Sequence, residues 1–199
     1  LSDGNLIESV LMHNKYGMSL CITSQVGCNM GCSFCASGLL GKKRDLMVGE
    51  FISQIMVANQ YIKKNIASAK VVTNVVIMGI GEPFDNYENF KKAVTILKEE
   101  NGLAIASRKI TVSTSGLSPQ IINFANDNIN INLAISLHSP NDEMRSKIMK
   151  VNKVYDIKNL MGAVDYYLER SNKRITFEYI LFKNINDNLE CARELAKII

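Results

Sequence analysis

Residues 71–83 read VVTNVVIMGIGEP, a run of β-branched and apolar side chains that stops at Gly79. Such a run suits a strand buried on both faces of a parallel sheet, and the glycine-rich turn marks the strand's C-terminal end. Helical spacing appears on either side of it. Val48, Phe51, Ile52, Ile55, Met56 and Ile62 precede the run, with Glu50 in the first turn; Phe90, Ala93, Val94 and Leu97 follow it. The alternation then continues as strand 109–113, helix 119–126, strand 131–137, helices 143–149 and 157–168, strand 174–182 and helix 189–199. This order predicts right-handed crossovers and an α/β fold on a parallel sheet, open or closing into a barrel. Upstream, alternating stretches 6–12 and 19–24 flank residues 13–17 as a short N-terminal β-hairpin extension.

The 199 residues are 47% apolar and 21% charged, which excludes collagen-like, disordered and coiled-coil chains. No repeat or Pro/Gly-rich linker divides them, so residues 1–199 read as one domain, with hairpin 6–24 leading into a cysteine loop at 28–35. No apolar run approaches the ~20 residues that span a bilayer, and the first residues form no signal peptide. The expectation is a cytoplasmic protein without a membrane partner. A net charge of +4 suits a polyanionic partner without requiring one. Both ends read as cut, since Leu1 opens without an initiator Met and helix 189–199 has no C-cap.

Helix-covered parallel sheets place chemistry at the C-terminal ends of their strands. Polar residues stand there: Cys28, then Gly81-Glu82-Pro83, Thr114-Ser115-Gly116 and His138-Ser139-Pro140. Of the five cysteines, Cys28, Cys32 and Cys35 crowd one loop, a distribution unsuited to disulfides. Three thiolates leave one corner of a four-iron cluster without a protein ligand, where a substrate can bind. Zinc is the plainer alternative, but a structural zinc takes four ligands, and neither His13 nor His138 has finger spacing. A ferredoxin-type run needs a fourth Cys, and Cys191 is remote.

The loop Cys28-Asn29-Met30-Gly31-Cys32-Ser33-Phe34-Cys35 resembles that of radical S-adenosylmethionine (SAM) enzymes. Together with MGIGEPFDN (78–86), ITVSTSG (110–116), LAISLHSPNDEMR (133–145) and ITFEYILF (175–182), the chain resembles the RlmN/Cfr-type RNA adenine methyltransferases over essentially its whole length. Pro83 after the Gly-Glu pair favours the members that methylate C2; the C8 type usually has Ala there. The resemblance implies a partial (β/α) barrel of the radical SAM type and a 4Fe-4S cluster on Cys28, Cys32 and Cys35. SAM would be held by Gly81, Glu82, Ser113, Ser136, Leu137 and His138, with Leu137 contributing mainly backbone. Reductive cleavage of SAM to a deoxyadenosyl radical then serves methylation of 23S rRNA and tRNA. An external electron donor such as a flavodoxin and a monomeric state complete the implied partners. A methyl-carrying cysteine from a C-terminal segment would pair with Cys21 in a transient disulfide, and Glu8 would accept the ring proton. Outside that resemblance, a non-catalytic iron-sulfur or zinc RNA-binding module remains the rival reading.

Hairpin geometry tests the last pair. A two-residue turn at Asn14-Lys15 pairs His13 with Tyr16 and sets Glu8 opposite Cys21, whereas a five-residue loop moves Glu8 beside Ile22, on the other face from Cys21. The first register, or a bulge restoring it, is therefore expected, with Leu6 and Val10 partly desolvating Glu8. The basic groups Lys42-Lys43-Arg44, Lys63-Lys64 and Arg108-Lys109 are candidate phosphate contacts or solvated faces.

Overall fold

The computed structural model describes residues 1–15, 17–39, 41–66 and 71–199. Strands β1 (Val10–Asn14) and β2 (Gly17–Ile22) form the hairpin, followed by the short β3 (Gln25–Val26) and β4 (Arg44–Asp45) and helix α1 (Val48–Asn65). The alternation runs on through β5 (Val72–Ile77), α2 (Tyr87–Lys98), β6 (Ile110–Thr114), α3 (Ser118–Asn126) and β7 (Asn132–Ser136). It ends with α4 (Asp142–Ile148), α5 (Ile157–Arg170), β8 (Ile175–Glu178) and α6 (Leu189–Ile198). Six strands make one sheet in the order β1-β2-β5-β6-β7-β8, parallel from β2 to β8, with β1 antiparallel at the edge. The architecture is the expected α/β one: a partial barrel, open between β1 and β8 among the described residues.

Side-chain parity divides the sheet. Leu20, Ile22, Val75, Ile77, Ile110, Val112, Leu133 and Ile135 are buried under the helices. The other face carries Cys21, Val76, Ser113, Ser136 and Glu178, all only partly buried. Strand β5 is therefore not buried on both faces: Thr73, Asn74 and Val76 are half-buried and Met78 is 38% exposed. An apolar run alone cannot separate these cases, because Val76 and Met78 line an open concave face. Packing on the covered side continues into the site, since Phe84 stacks near Phe90 and Phe124 at 5.8 and 5.5 Å and so anchors the turn that carries Glu82.

The hairpin takes neither expected register. Val10 pairs with Cys21, His13 with Met18 and Asn14 with Gly17. Tyr16, the expected partner of His13, lies outside the described residues. Gly17 enters the ladder at φ +134°, where any Cβ would collide with Thr73 Oγ1 of β5. The fit of β2 against β5 thus assigns this glycine to the strand rather than to the loop. Strand β8 is shorter than expected: after Glu178 the chain turns, Ile180 N–H donating to His138 Nδ1 and Phe182 N–H to Asn186 Oδ1.

Candidate active site

At the C-terminal ends of β5 to β8 lies a cavity of about 450 Å³. Its wall brings together Cys28, Cys32 and Cys35 with Gly81, Glu82, Ser113, Ser136 and His138, and adds Phe34, Met149 and Glu178. Leu137 is excluded from it. That side chain is fully buried on the helix side, its N–H donates to Glu178 O, and its carbonyl accepts from Arg145 Nε. A larger groove of about 720 Å³ lies between the hairpin and α1, mainly apolar and containing none of the predicted residues. Chemistry follows the smaller cavity, where the titratable groups converge.

The three thiols sit on the loop between β3 and β4. Phe34 packs edge-on against His138, 5.0 Å between centroids, closing one side of the loop. Burial, followed by the neighbouring Cys28 and Cys35, pushes the Cys32 thiol up to about 11. Burial also raises the Cys28 thiol, so Cys28 and Cys32 ionise together only with positive charge between them. Among the described residues no three His, Cys, Asp or Glu side chains are placed to share a single metal ion.

Glu82 is buried, 3% exposed, with Oε1 accepting from Phe84 N–H at 3.0 Å and Oε2 from Ser115 N–H at 2.7 Å. Burial pushes its carboxyl upward against these backbone donors. Among the described residues no cationic side chain pairs with it. A ligand ammonium is the complement this carboxylate lacks. Gly81 lines the cavity and also lets the turn pack closely. Its φ is +105°, and a Cβ there would stand 2.6 Å from Gln25 Cβ, so it packs against β3 while Gln25 Oε1 accepts from Glu82 N–H.

His138, at φ +55°, accepts from Ile180 N–H at Nδ1, which leaves the proton of its neutral form on Nε2. Burial lowers its pKa from the ordinary 6.5 to about 4. The unfolded chain takes up this proton first as pH falls, so stability should drop between about 6.5 and about 4. His138→Asn, which tolerates the backbone and does not titrate, should remove roughly 2 kcal/mol of that dependence in urea midpoints measured across this range.

Glu8 and Cys21 lie outside the cavity wall, towards the hairpin edge. Ile7, Ser9, Leu11 and His13 line the apolar groove on one side of β1, which leaves Glu8, Val10 and Met12 on the side of Cys21. Glu8 precedes the ladder and does not stand opposite Cys21, whose partner is Val10, and its carbonyl accepts from Thr23 Oγ1 at 2.6 Å. Leu6 and Val10, 89% and 55% exposed, do not enclose it. Sequence reasoning missed Glu178, Arg145 and Asn186. A carboxylate closing strand 175–178, at a strand end where the other strands also place polar residues, was the available signal for the first. Part of the basic patch is committed internally: Lys42 pairs with Asp45 and Asp85, and Arg44 with Asp3 and Glu50.

The model of the radical SAM superfamily matches residues 22–196. The chain is 55% identical over all 199 residues to a probable dual-specificity RNA methyltransferase RlmN of Listeria welshimeri, covering 54% of that protein. It is also 55% identical to the protein so described in Shouchella clausii, covering 56% of it, and 51% identical to that of Streptococcus gordonii, covering 55%. The chain spans about half the length of these relatives. A crystal structure of a radical SAM methyltransferase from Sphaerobacter thermophilus matches it with a TM-score of 0.94 at 43% identity, over 98% of this chain and 57% of that one. No helix among the described residues is long and apolar enough to cross a membrane.

Proposed function

The chain belongs to the radical SAM superfamily, and from that membership we propose that it is the catalytic core of an RNA methyltransferase that methylates C2 of an adenine in 23S rRNA and tRNA. Membership implies a 4Fe-4S cluster and SAM as cofactors. The observation that carries the reading is the single cavity joining Cys28, Cys32 and Cys35 to the Gly81-Glu82 turn, Ser113, Ser136 and His138. The names of the relatives support the substrate class.

When bound and reduced, by a donor such as a flavodoxin, the cluster supplies the electron for SAM cleavage. The chain's own residues hold and orient. Cys28, Cys32 and Cys35 would ligate three irons, and Glu82 would accept a hydrogen bond from the SAM ammonium. His138 keeps its Nδ1 on the backbone and so presents a fixed ring edge to the cavity. Phe34 excludes water from the cysteine loop. Glu8 would take the ring proton from the protein–RNA adduct, and Cys21 would form a disulfide with the second cysteine's sulfur as the carbon–sulfur bond to the adenine-bound carbon breaks, which releases the methylated RNA.

The test uses the full-length protein, reconstituted anaerobically with iron and sulfide and given SAM, reductant and rRNA or tRNA transcripts. The expected digest contains 2-methyladenosine. The 8-methyl isomer would reassign the position, and absence of 5′-deoxyadenosine would leave a non-catalytic module. Glu8→Gln should preserve SAM cleavage while lowering 2-methyladenosine by about 100-fold. Wild-type product rates in that variant would return Glu8 to a plain strand carboxylate.

A further inference from the structure

Lys42 follows the cysteine loop, and its ammonium is turned to Asp45 Oδ1 and Asp85 Oδ2, each at 2.8 Å. Asp45 belongs to β4, and Asp85 to the turn of residues 83–86 that begins at Glu82. The two carboxylates share a second donor: Gln25 Nε2 reaches Asp45 Oδ1 at 2.8 Å and Asp85 Oδ2 at 2.9 Å. Gln25 is fully buried, and its Oε1 accepts from Glu82 N–H at 2.9 Å. At the loop end, Lys42 N–H donates to Asn29 Oδ1, next to Cys28, at 2.9 Å. One network of four side chains thus runs from the cysteine loop to the backbone of Glu82.

An isolated surface ion pair contributes little, but here a single cation stands between two carboxylates. The side chains of Lys42, Asp45 and Asp85 are 18%, 37% and 33% exposed, so solvent screens their charges only in part. Without the ammonium the two anions face each other across the Gln25 amide alone, and attraction between β4 and the turn becomes repulsion. That turn carries Glu82, which stands across one cavity from Cys28, Cys32 and Cys35. We propose that Lys42 is a positioning residue: by joining Asp45 to Asp85 it fixes the separation between the cysteine loop and Glu82 on which binding of the amino-acid end of SAM depends. The assignment rests on the SAM reading above and deepens it by naming what sets the dimensions of the site. It also gives Lys42 a different purpose from contact with an RNA phosphate.

The test measures binding of S-adenosylhomocysteine to the anaerobically reconstituted full-length protein by equilibrium dialysis. Lys42→Met should weaken it about tenfold, whereas Lys42→Arg, which keeps the cation, should stay within about threefold of the wild type. Adding Asp85→Asn to Lys42→Met removes the repulsion and should restore most of the lost affinity. Bound iron should match the wild type throughout, and the melting temperature should fall by no more than about 3 °C. The rescue is the distinguishing sign, because a side chain that filled space or met an RNA phosphate would regain nothing from the loss of a second charge. Wild-type affinity in Lys42→Met overturns the proposal, and so does a double variant that binds no better than Lys42→Met. Loss of iron in step with loss of binding also overturns it, since the network would then be a scaffold for the cysteine loop alone. If Lys42→Met instead binds rRNA or tRNA transcripts more weakly while S-adenosylhomocysteine binding holds, Lys42 returns to the phosphate contacts and the proposal falls. Should Lys42→Met fail to fold, Lys42→Gln decides: weakened binding supports the assignment, and wild-type binding ends it. A wild-type protein that holds a cluster yet binds no S-adenosylhomocysteine overturns the SAM reading itself, and the proposal with it.

Discussion

Cys32→Ala should leave the chain almost without iron after anaerobic reconstitution, and Cys28→Ala and Cys35→Ala should do the same, whereas Cys21→Ala and Cys191→Ala should load normally. Cys28, Cys32 and Cys35 all line one cavity, while Cys21 is held in the β2 ladder beside Val76 and Cys191 is buried in α6. The physical reason is charge as well as geometry. Burial raises the Cys28 and Cys32 thiols, which therefore ionise only around a cation, and a cluster with two protein ligands left has lost both a bond and part of the charge balance. Iron content per chain and the visible absorption of the reconstituted proteins give the answer. If Cys21→Ala loses iron as completely as Cys32→Ala, the ligand assignment is wrong.

The second large effect should come from Arg145→Met. Arg145 is fully buried, with Nε donating to Leu137 O at 3.0 Å, Nη1 to Asn152 Oδ1 at 2.9 Å, and Nη2 to Ser115 O at 2.7 Å and Ser136 O at 3.0 Å. It thereby fastens the ends of β6 and β7, and it grips from the carbonyl side the same Ser115 whose N–H donates to Glu82. Burial lowers its pKa to about 10, so this cation is held at a cost that its hydrogen bonds must exceed. Methionine fills the space but leaves three strand-end carbonyls and Asn152 without this donor. The expected destabilisation is about 3–5 kcal/mol, read as a melting temperature lower by about 10 °C or more. Arg145→Lys should fall between the two, because one ammonium keeps the charge and only part of the bonds. A Met variant that melts with the wild type would show that these carbonyls find other donors.

Much of this protein was legible in one dimension. The strand-helix alternation, the placement of polar residues after each strand and the three cysteines on one loop are all written in local spacing, and local spacing survives folding. Leu137 illustrates a finer reading. Its neighbours Ser136 and His138 face the cavity while its own side chain goes under the helices, as strand parity requires.

What the sequence left open depends on partners far apart in the chain. The hairpin register followed from Gly17 meeting Thr73, the conversion of β5 from doubly buried to half-open followed from the sheet remaining unclosed, and Lys42 was withdrawn from the basic patch by Asp85. Glu178 became a site residue because it meets Ser113 and Ser136, 65 and 42 positions away. The sequence by itself determined the elements, their order and the cysteine loop, because backbone propensity and apolar periodicity act over a few residues. Only the tertiary structure decided the register, which charges are neutralised and which carboxylates face the cavity, because hydrogen bonds and ion pairs are set by distances of about 3 Å that chain spacing does not encode.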